Sequence, residues 1–581
     1  MAGAATPSAS LAAAMAGAPL AQFCAAGGSG AVAAPALASL GSALFLDAAK
    51  ASATTNLFLS PLSVYLALAL ALNAARTGSQ TQAEILRALC AASQVGTPSY
   101  VALVPGGGMP PLDAEAAEAV LNADLSALSR ALMTAPIAVA SSSPGKNAAA
   151  AGGSKPTTTT PTTAGASPEL LLANSLWTQK GNAAYNISAD YSQRMKQFFD
   201  AVAMQGDSAD VNRWASQATK GLVDQAVAPG TPFDLLLANA VYFKGQWERS
   251  FDKSQTESAA DFSALTTNGT ALAFRPKKVQ MMNLRLKAQD DRSAQRQGLR
   301  TPVIMFSPSF VAARLPYKGG KQSAVVVLPR DKSPGALKAL LEDGGGPAGK
   351  GQRFDWRRDL ALGGPVPESW IQVVSNATGK SLDELRRMTG PGAIQVPAPP
   401  RMTGGAGGGA AGARPAAAVA MPTLPADSPW LPASTRSSGG LLLRMPKFRA
   451  ETKLLRLKPL LSKDAASGGL GIRSAFDARS ADFSRAAGAE DDRLAVDDVI
   501  HSAVVVVDEE GTEAAAVTAV VMMRSSMPMM EEDPPIEVVL DRPFLFGVVD
   551  DATGVPMFTG AVVDPEWRDA APAAAKKSSS G

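Results

Sequence analysis

Apolar and polar positions recur along this chain with two periods, and the periods predict its elements. Near-continuous apolar runs bounded by polar residues predict buried strands. Leu170-Leu-Leu-Ala-Asn-Ser-Leu-Trp177 is one such run. Phe233-Asp-Leu-Leu-Leu-Ala-Asn239-Ala-Val-Tyr-Phe-Lys244-Gly245-Gln-Trp247 is a second, ending in a Lys-Gly turn and a Trp. Another apolar strand follows His501. Ala313-Arg-Leu-Pro-Tyr317-Lys-Gly-Gly320-Lys-Gln-Ser-Ala-Val-Val-Val-Leu-Pro329 reads as strand, Gly-Gly turn and strand, which is hairpin logic. Helices are predicted over 35–53, 79–92, 191–201 and 454–462, with a short one over 114–133. Ser60 is a good N-cap and Pro61 suits a first helical turn, so a buried helix starts there.

The periodicity lapses over about 93–167, 287–300 and 334–440. The first lapse contains Ser141-Ser-Ser-Pro-Gly145 and Lys155-Pro-Thr-Thr-Thr-Thr-Pro161, and the last contains Gly404-Gly-Ala-Gly-Gly-Gly-Ala-Ala. Such composition cannot bury enough apolar surface to offset its conformational entropy, so these blocks read as disordered insertions. The second block, 287–300, reads as polar insertion, and 381–388 is a candidate helix inside the third. Length alone, 581 residues, suggests about three or four domains. The lapses favour one domain over 35–566 interrupted by long insertions, with a disordered leader at 1–34 and a disordered tail at 567–581.

One stretch fits neither helix nor ordinary loop. Asp508 to Glu532 begins with acids and a Gly, continues through small uncharged residues, and ends in Arg-Ser, Met, Pro and more acids. Its even positions Thr512, Ala514, Ala516, Thr518 and Val520 are all small and neutral, while Glu513 lies in the odd series. That alternation suits a segment able to enter a sheet as a strand. The competing reading is the start of an amphipathic helix, since Glu-Ala-Ala-Ala favours helix but Val-Thr-Ala-Val-Val does not.

The segment from Leu494 to Ala516, with Asp508-Glu-Glu-Gly511-Thr-Glu-Ala-Ala-Ala at its end, resembles the hinge of serpins, the serine-protease-inhibitor superfamily. Asp541-Arg-Pro-Phe-Leu-Phe546 and Gly554-Val-Pro-Met-Phe-Thr-Gly560 resemble that family's C-terminal strands. Further resemblances occur in the family's order: Ser60-Pro61-Leu-Ser63, Val211-Asn-Arg-Trp214, Asn239-Ala-Val-Tyr-Phe-Lys244-Gly245-Gln-Trp247, Val279-Gln-Met-Met282, the 313–329 hairpin and Leu441-Leu-Leu-Arg-Met-Pro446. Inhibitory plant-type serpins are the nearest match, sharing the Ala-rich hinge, a basic residue before the bond and an acidic stretch after it.

The resemblance implies a mixed α/β fold with a large five-stranded sheet, two smaller sheets, about nine helices and an exposed reactive-centre loop. It implies a hinge at Glu510, Gly511, Thr512, Glu513, Ala514, Ala515 and Ala516. It implies that Ser60, Ser63, Asn239 and His501 form a polar shutter controlling sheet opening, and that Trp247 belongs to the breach. The implied activity is suicide-substrate inhibition. A serine protease attacks the loop, and the cleaved loop inserts into the main sheet. The distorted protease then lacks its oxyanion hole and cannot deacylate. Non-inhibitory members tend to lose the hinge pattern, and a non-inhibitory binding protein or chaperone is the alternative. The family's count from Gly511 lands on Ser525. Arg524–Ser525 puts a long cation before a small residue, which suits a protease with an acid in its specificity pocket, although an Arg also keeps an exposed loop soluble. The expected bond is therefore Arg524–Ser525 and the expected target trypsin-like. Arg-specific cysteine proteases also fit, and Met523 as the site would imply chymotrypsin- or elastase-like targets.

Composition narrows the remaining classes. Net charge is +3 with both signs mixed, which points to neither nucleic acid nor a polybasic membrane surface. The two cysteines, Cys24 and Cys90, exclude a disulfide scaffold and a cysteine metal site. The single histidine, His501, would have to serve any Ser-His or Cys-His hydrolase, and its bland reading is a structural residue at a strand start. No Gly-x-Ser-x-Gly elbow, phosphate loop or dinucleotide fingerprint stands out. The expectation is a protease inhibitor rather than an enzyme, monomeric, with no cofactor, no metal and no catalytic residue of its own. No run is long and apolar enough to span a bilayer. The N-terminus has no Lys or Arg before Lys50 and makes a poor signal peptide, favouring the cytosol over the extracellular space. Sequons at Asn186, Asn268 and Asn376 matter only in a secreted protein.

Overall fold

Three β-sheets carry the fold. The computed structural model describes residues 53–91, 168–342, 430–432, 437–512 and 534–567, apart from 183–184, 297–298, 320, 438, 465–468, 488–493 and 552–553. It also describes helical residues at 44–45, at 48–49 and between 118 and 132. The leader, most of the 93–167 insertion, the candidate helix at 381–388 and the tail beyond 567 lie outside the described residues.

The main sheet runs in the order β12 (Phe448–Arg456), β13 (Val496–Val507), β14 (Gly511–Thr512), β4 (Leu235–Gln246), β2 (Glu169–Gln179), β3 (Val202–Gly206). It therefore has the five expected strands and a sixth, the two-residue β14. The second sheet runs β1 (Leu57–Leu59), β17 (Pro556–Val562), β16 (Phe544–Asp550), β9 (Gln322–Pro329), β8 (Phe310–Pro316), β7 (Val303–Phe306), β10 (Leu431–Pro432). It has one strand more than the main sheet, but its strands are shorter and it is the smaller of the two, as expected. The third sheet runs β15 (Ile536–Val539), β11 (Leu441–Pro446), β6 (Ala271–Leu286), β5 (Glu257–Asn268).

Among the described residues the α-helices are α1 (Pro61–Ala74), α2 (Gln80–Ala91), α3 (Ala189–Phe199), α4 (Ser208–Ala218), α5 (Ala288–Arg296), α6 (Ala336–Glu342) and α7 (Lys458–Ser462). All residues of α1 are buried, as expected for a helix apolar on every side. Ser60 caps it: its backbone is extended and its hydroxyl accepts the Ser63 N–H at 3.2 Å. Period two on β4 splits the core. Leu235, Leu237, Val241 and Phe243 belong to the large cluster containing α1, while Leu236, Ala238 and Ala240 join Trp177, Val211, Trp214 and Ala218 under α4. The sheet thus has α1 behind it and α4 in front.

Three expectations need correction. The helix predicted over 454–462 is only α7, because β12 continues to Arg456, pairing Leu455 with His501 and Arg456 with Ile500. A bulge between Thr452 and Leu455 puts Leu454 at φ 52, and the cross-strand ladder overrides local helix propensity. The 287–300 segment is not mere polar insertion: it forms α5, with Ala288 and Ala294 buried. Trp567, placed at the start of the expected tail, still packs on the domain: the Lys447 ammonium lies 4.2 Å from its ring centroid. Among the described residues no helix is long and apolar enough to cross a membrane.

Candidate functional site

Two polar clusters stand at the seam between β13 and β4, where these strands pair directly in parallel from Val496 to Ala503. The lower cluster interrupts an apolar layer. On the α1 side of the sheet, His501 stands beside Asn239 in register, and Asn239 stands opposite Asn174 of β2. All three are buried. His501 is mid-strand rather than at a strand start. Its Nε2 accepts the Ser60 N–H at 3.1 Å, and a backbone N–H can only donate, so the neutral ring carries its proton on Nδ1. That proton is donated to Asn239 Oδ1. Burial lowers the imidazole pKa from 6.5 to about 3, so the ring is neutral at ordinary pH.

The structure brings Ser60, Asn239 and His501, three of the four residues that the resemblance groups, into one hydrogen-bonded chain. Ser63 lies one turn away, but among the described residues its hydroxyl finds no partner, nor do Asn239 Nδ2 and both polar atoms of the Asn174 amide. Sequence reasoning missed Asn174. The signal was present: Leu-Ala-Asn occurs at 172–174 and again at 237–239, and the two copies pair antiparallel at the asparagines.

The upper cluster holds the start of the predicted hinge. β13 turns back through Asp508–Gly511 into β14, which lies between β13 and β4. Thr512 pairs with Val507 on one side and Gly245 on the other, and Gly511 pairs with Gln246. Asp508 Oδ1 closes the turn, accepting the N–H of Glu510 at 2.9 Å and of Gly511 at 3.1 Å. Burial raises the Asp508 pKa. Gly511 must lack a side chain, because a Cβ there would sit 2.0 Å from Gly245 O and 2.8 Å from Gln246 Cα.

The β4–β5 connection grips this turn. The N–H of Trp247 donates to Glu510 O at 2.9 Å, that of Phe251 to Glu509 O at 2.8 Å, and the Trp247 indole to Asp508 O at 3.0 Å. The Glu509 carboxylate meets Lys447 Nζ at 3.1 Å and the Thr256 hydroxyl at 2.8 Å. Burial opposes its ionisation, but these hydrogen bonds outweigh burial and hold its pKa below the usual value. Glu510 pairs with Lys253 at 2.5 Å, and that hydrogen bond raises the Lys253 pKa. Trp247 is fully buried and stacked on Tyr317, with centroids 4.6 Å apart and planes 13° apart. The Tyr317 hydroxyl lies 2.6 Å from Thr512 Oγ1. Thr256, Lys253, Lys447 and Tyr317 are further contacts that sequence reasoning did not find. They come from distant segments, and nothing local marks them.

Glu513, Ala514, Ala515, Ala516, Met523, Arg524 and Ser525 lie outside the described residues, as does the sequon at Asn376. Asn268, on the β5–β6 hairpin, and Asn186 are both exposed.

The family described as serpin (serine protease inhibitor) has a model that matches residues 35–343 and 427–565. Similar curated proteins include Ipis-1 of Ixodes persulcatus, 28% identical over 173 residues, which is 28% of this chain and 40% of that protein. Serpin-ZX of Arabidopsis thaliana is 30% identical over 126 residues, 20% of this chain and 31% of its own. Neuroserpin of Rattus norvegicus is 30% identical over 183 residues, 29% of this chain and 40% of its own. The chain therefore spans two-fifths or less of the length of these relatives. The native stressed conformation of AtSerpin1 from Arabidopsis has a similar fold, with a TM-score of 0.51 and 20% identity, covering 95% of this chain and all of that one. Thyroxine-binding globulin in complex with thyroxine matches with a TM-score of 0.51 at 17% identity, covering 92% of this chain and 99% of that one.

Proposed function

The chain belongs to the serpin family, and from that premise we propose that it inhibits a serine protease as a suicide substrate. The observation that carries the reading is β14, already seated between β13 and β4. A loop that must insert there has its first residues in the slot.

The register supports the rest. Continuing β14 antiparallel to both neighbours from Val507↔Thr512 and Thr512↔Gly245 would bring Thr518 opposite His501 and Asn239 at once. Both strands therefore demand the same residue at the shutter. Thr512 faces Tyr317, so the even series would face the α1 side, where its small neutral side chains meet Phe243, Val241 and Ala503. Inserting a strand moves β13 and β4 apart by about 4.8 Å and breaks the His501–Asn239 hydrogen bond. The Thr518 hydroxyl is a replacement partner for both groups. In the odd series, Glu513 would stand beside Lys244, which is only partly buried. Strand addition exchanges one parallel ladder for two antiparallel ones, which are slightly more stable per residue. The native state is then held by a barrier rather than by being most stable.

The scissile bond we assign is Arg524–Ser525 and the target class trypsin-like. The test is to mix the protein with trypsin, run a denaturing gel and sequence any released C-terminal peptide. A denaturant-resistant adduct with a peptide beginning at Ser525 is the expected result. A peptide beginning at Arg524 moves the site to Met523 and the target to chymotrypsin-like enzymes. Clean cleavage with no adduct, repeated with chymotrypsin- and elastase-like enzymes and an Arg-specific cysteine protease, overturns the inhibitory reading.

A second reading, a non-inhibitory binding protein, is favoured by one observation. A cavity of about 300 Å³ opens between α6, β1 and the β5–β6 hairpin, lined by Leu57, Leu265, Leu272, Leu337, Leu341 and Val563 among others. Saturable binding of an apolar fluorophore there, in a protein that traps no protease, would support it.

A further inference from the structure

We propose that Tyr317 is a positioning residue that keeps the hinge docked in the main sheet before any protease arrives. This rests on the inhibitory reading and names the group that sets where insertion starts.

The geometry singles out one hydroxyl. Thr512 and Tyr317 are both fully buried, and their oxygens are 2.6 Å apart. The Tyr317 ring is held from two sides, stacked on Trp247 and edge-on to Phe243 at 5.0 Å. The phenol therefore has a defined direction, and it points into the slot between β13 and β4. Thr512 is the last described residue before the loop. Its backbone pairs with Val507 on one side and Gly245 on the other, and the side-chain bond adds to these. The neighbouring Gly511 lies against the β4 backbone too closely for any Cβ. Docking thus needs Gly at 511 and matched partners at 512 and 317, here two hydroxyls bonded to each other.

The consequence is kinetic. Trapping is a race between loop insertion and hydrolysis of the acyl-enzyme. A hinge already paired on both sides lets insertion zip onward from Thr512 instead of nucleating a strand. An undocked hinge delays insertion and shifts the outcome toward cleaved, released inhibitor.

The test separates docking from trapping. Amide hydrogen exchange of the peptide containing Gly511 and Thr512 is measured by mass spectrometry on the full-length protein, with no protease present. Tyr317→Phe keeps the ring stack but leaves the Thr512 hydroxyl buried and unpaired, so exchange there is expected to accelerate roughly tenfold. The double variant Tyr317→Phe with Thr512→Val replaces both partners by apolar groups, which is close to neutral, so protection is expected to return. A purely structural role for Tyr317 would not be rescued in this way. Unchanged exchange in Tyr317→Phe, or failure of the double variant to restore it, overturns the proposal. With trypsin, Tyr317→Phe is expected to raise the number of inhibitor molecules cleaved per protease trapped, and an unchanged ratio overturns the kinetic role. If wild type traps nothing, the function reading fails while the exchange result still decides docking.

Discussion

Replacing His501 by Gln tests the shutter through its charge. The folded imidazole has a pKa of about 3 against 6.5 in a solvated chain. The unfolded chain therefore binds a proton as pH falls through 6.5, whereas the folded protein does not until about pH 3. Stability from this group is complete above pH 6.5, declines as pH falls, and levels off below about pH 3. Each pH unit in that window removes about 1.4 kcal/mol. At pH 5.0, one and a half units below the unfolded value, the loss is about 2 kcal/mol, and across the whole window it is about 5 kcal/mol. His501 is the single histidine, so no other imidazole titrates there. Burial raises the pKa of Asp234, Glu248 and Asp508, and those carboxyls act in the opposite direction. They remain in the variant and cancel in the comparison. Gln can accept from Ser60 and donate to Asn239 without ever charging. The assay is the first urea transition, followed by tryptophan emission at pH 7.5 and 5.0. With a slope near 2 kcal/mol per M, the wild-type midpoint should fall by about 1 M more than that of His501→Gln. Equal pH dependence in the two proteins refutes the reasoning.

Other perturbations address the hinge and the insertions. Thr512→Arg should abolish the protease adduct while leaving cleavage intact, because a guanidinium cannot enter the apolar sheet interior; gels with trypsin read both. Gly511→Ala should expel β14 and abolish trapping, since overpacking against rigid backbone costs about 1–3 kcal/mol or more; hydrogen exchange at Thr512 and adduct yield report it, and wild-type values for both would contradict the Gly245 contact. Deleting residues 404–411 should leave adduct yield unchanged, and a large loss would show that this Gly-rich block contributes to the domain.

Local chemistry made much of the fold legible. The apolar runs at 170–177 and 233–247 are strands because continuous hydrophobicity suits burial on both faces, and both became central strands of the main sheet. Ser60-Pro61 marked a helix start because capping is settled within one turn. His501 and Asn239 were picked out by family resemblance, and the structure joins them. Leu454 was misread because its helix-favouring surroundings compete with a ladder to β13, a partner about fifty residues away.

The sequence by itself therefore determined most of the strands and helices of the main sheet's two cores and which of their faces are apolar. Those properties depend on periodicity and on side chains within a turn of one another. Only the tertiary structure decided partnership. Period two says which face a residue occupies but not which strand lies beside it. Asn174 opposite Asn239, Tyr317 against Thr512, and Lys447 with Glu509 were therefore invisible along the chain. The seating of β14 between β13 and β4 belongs to the same class. It depends on a slot whose walls, Val507 and Gly245, are 262 positions apart in sequence and are brought together only by the packed sheet.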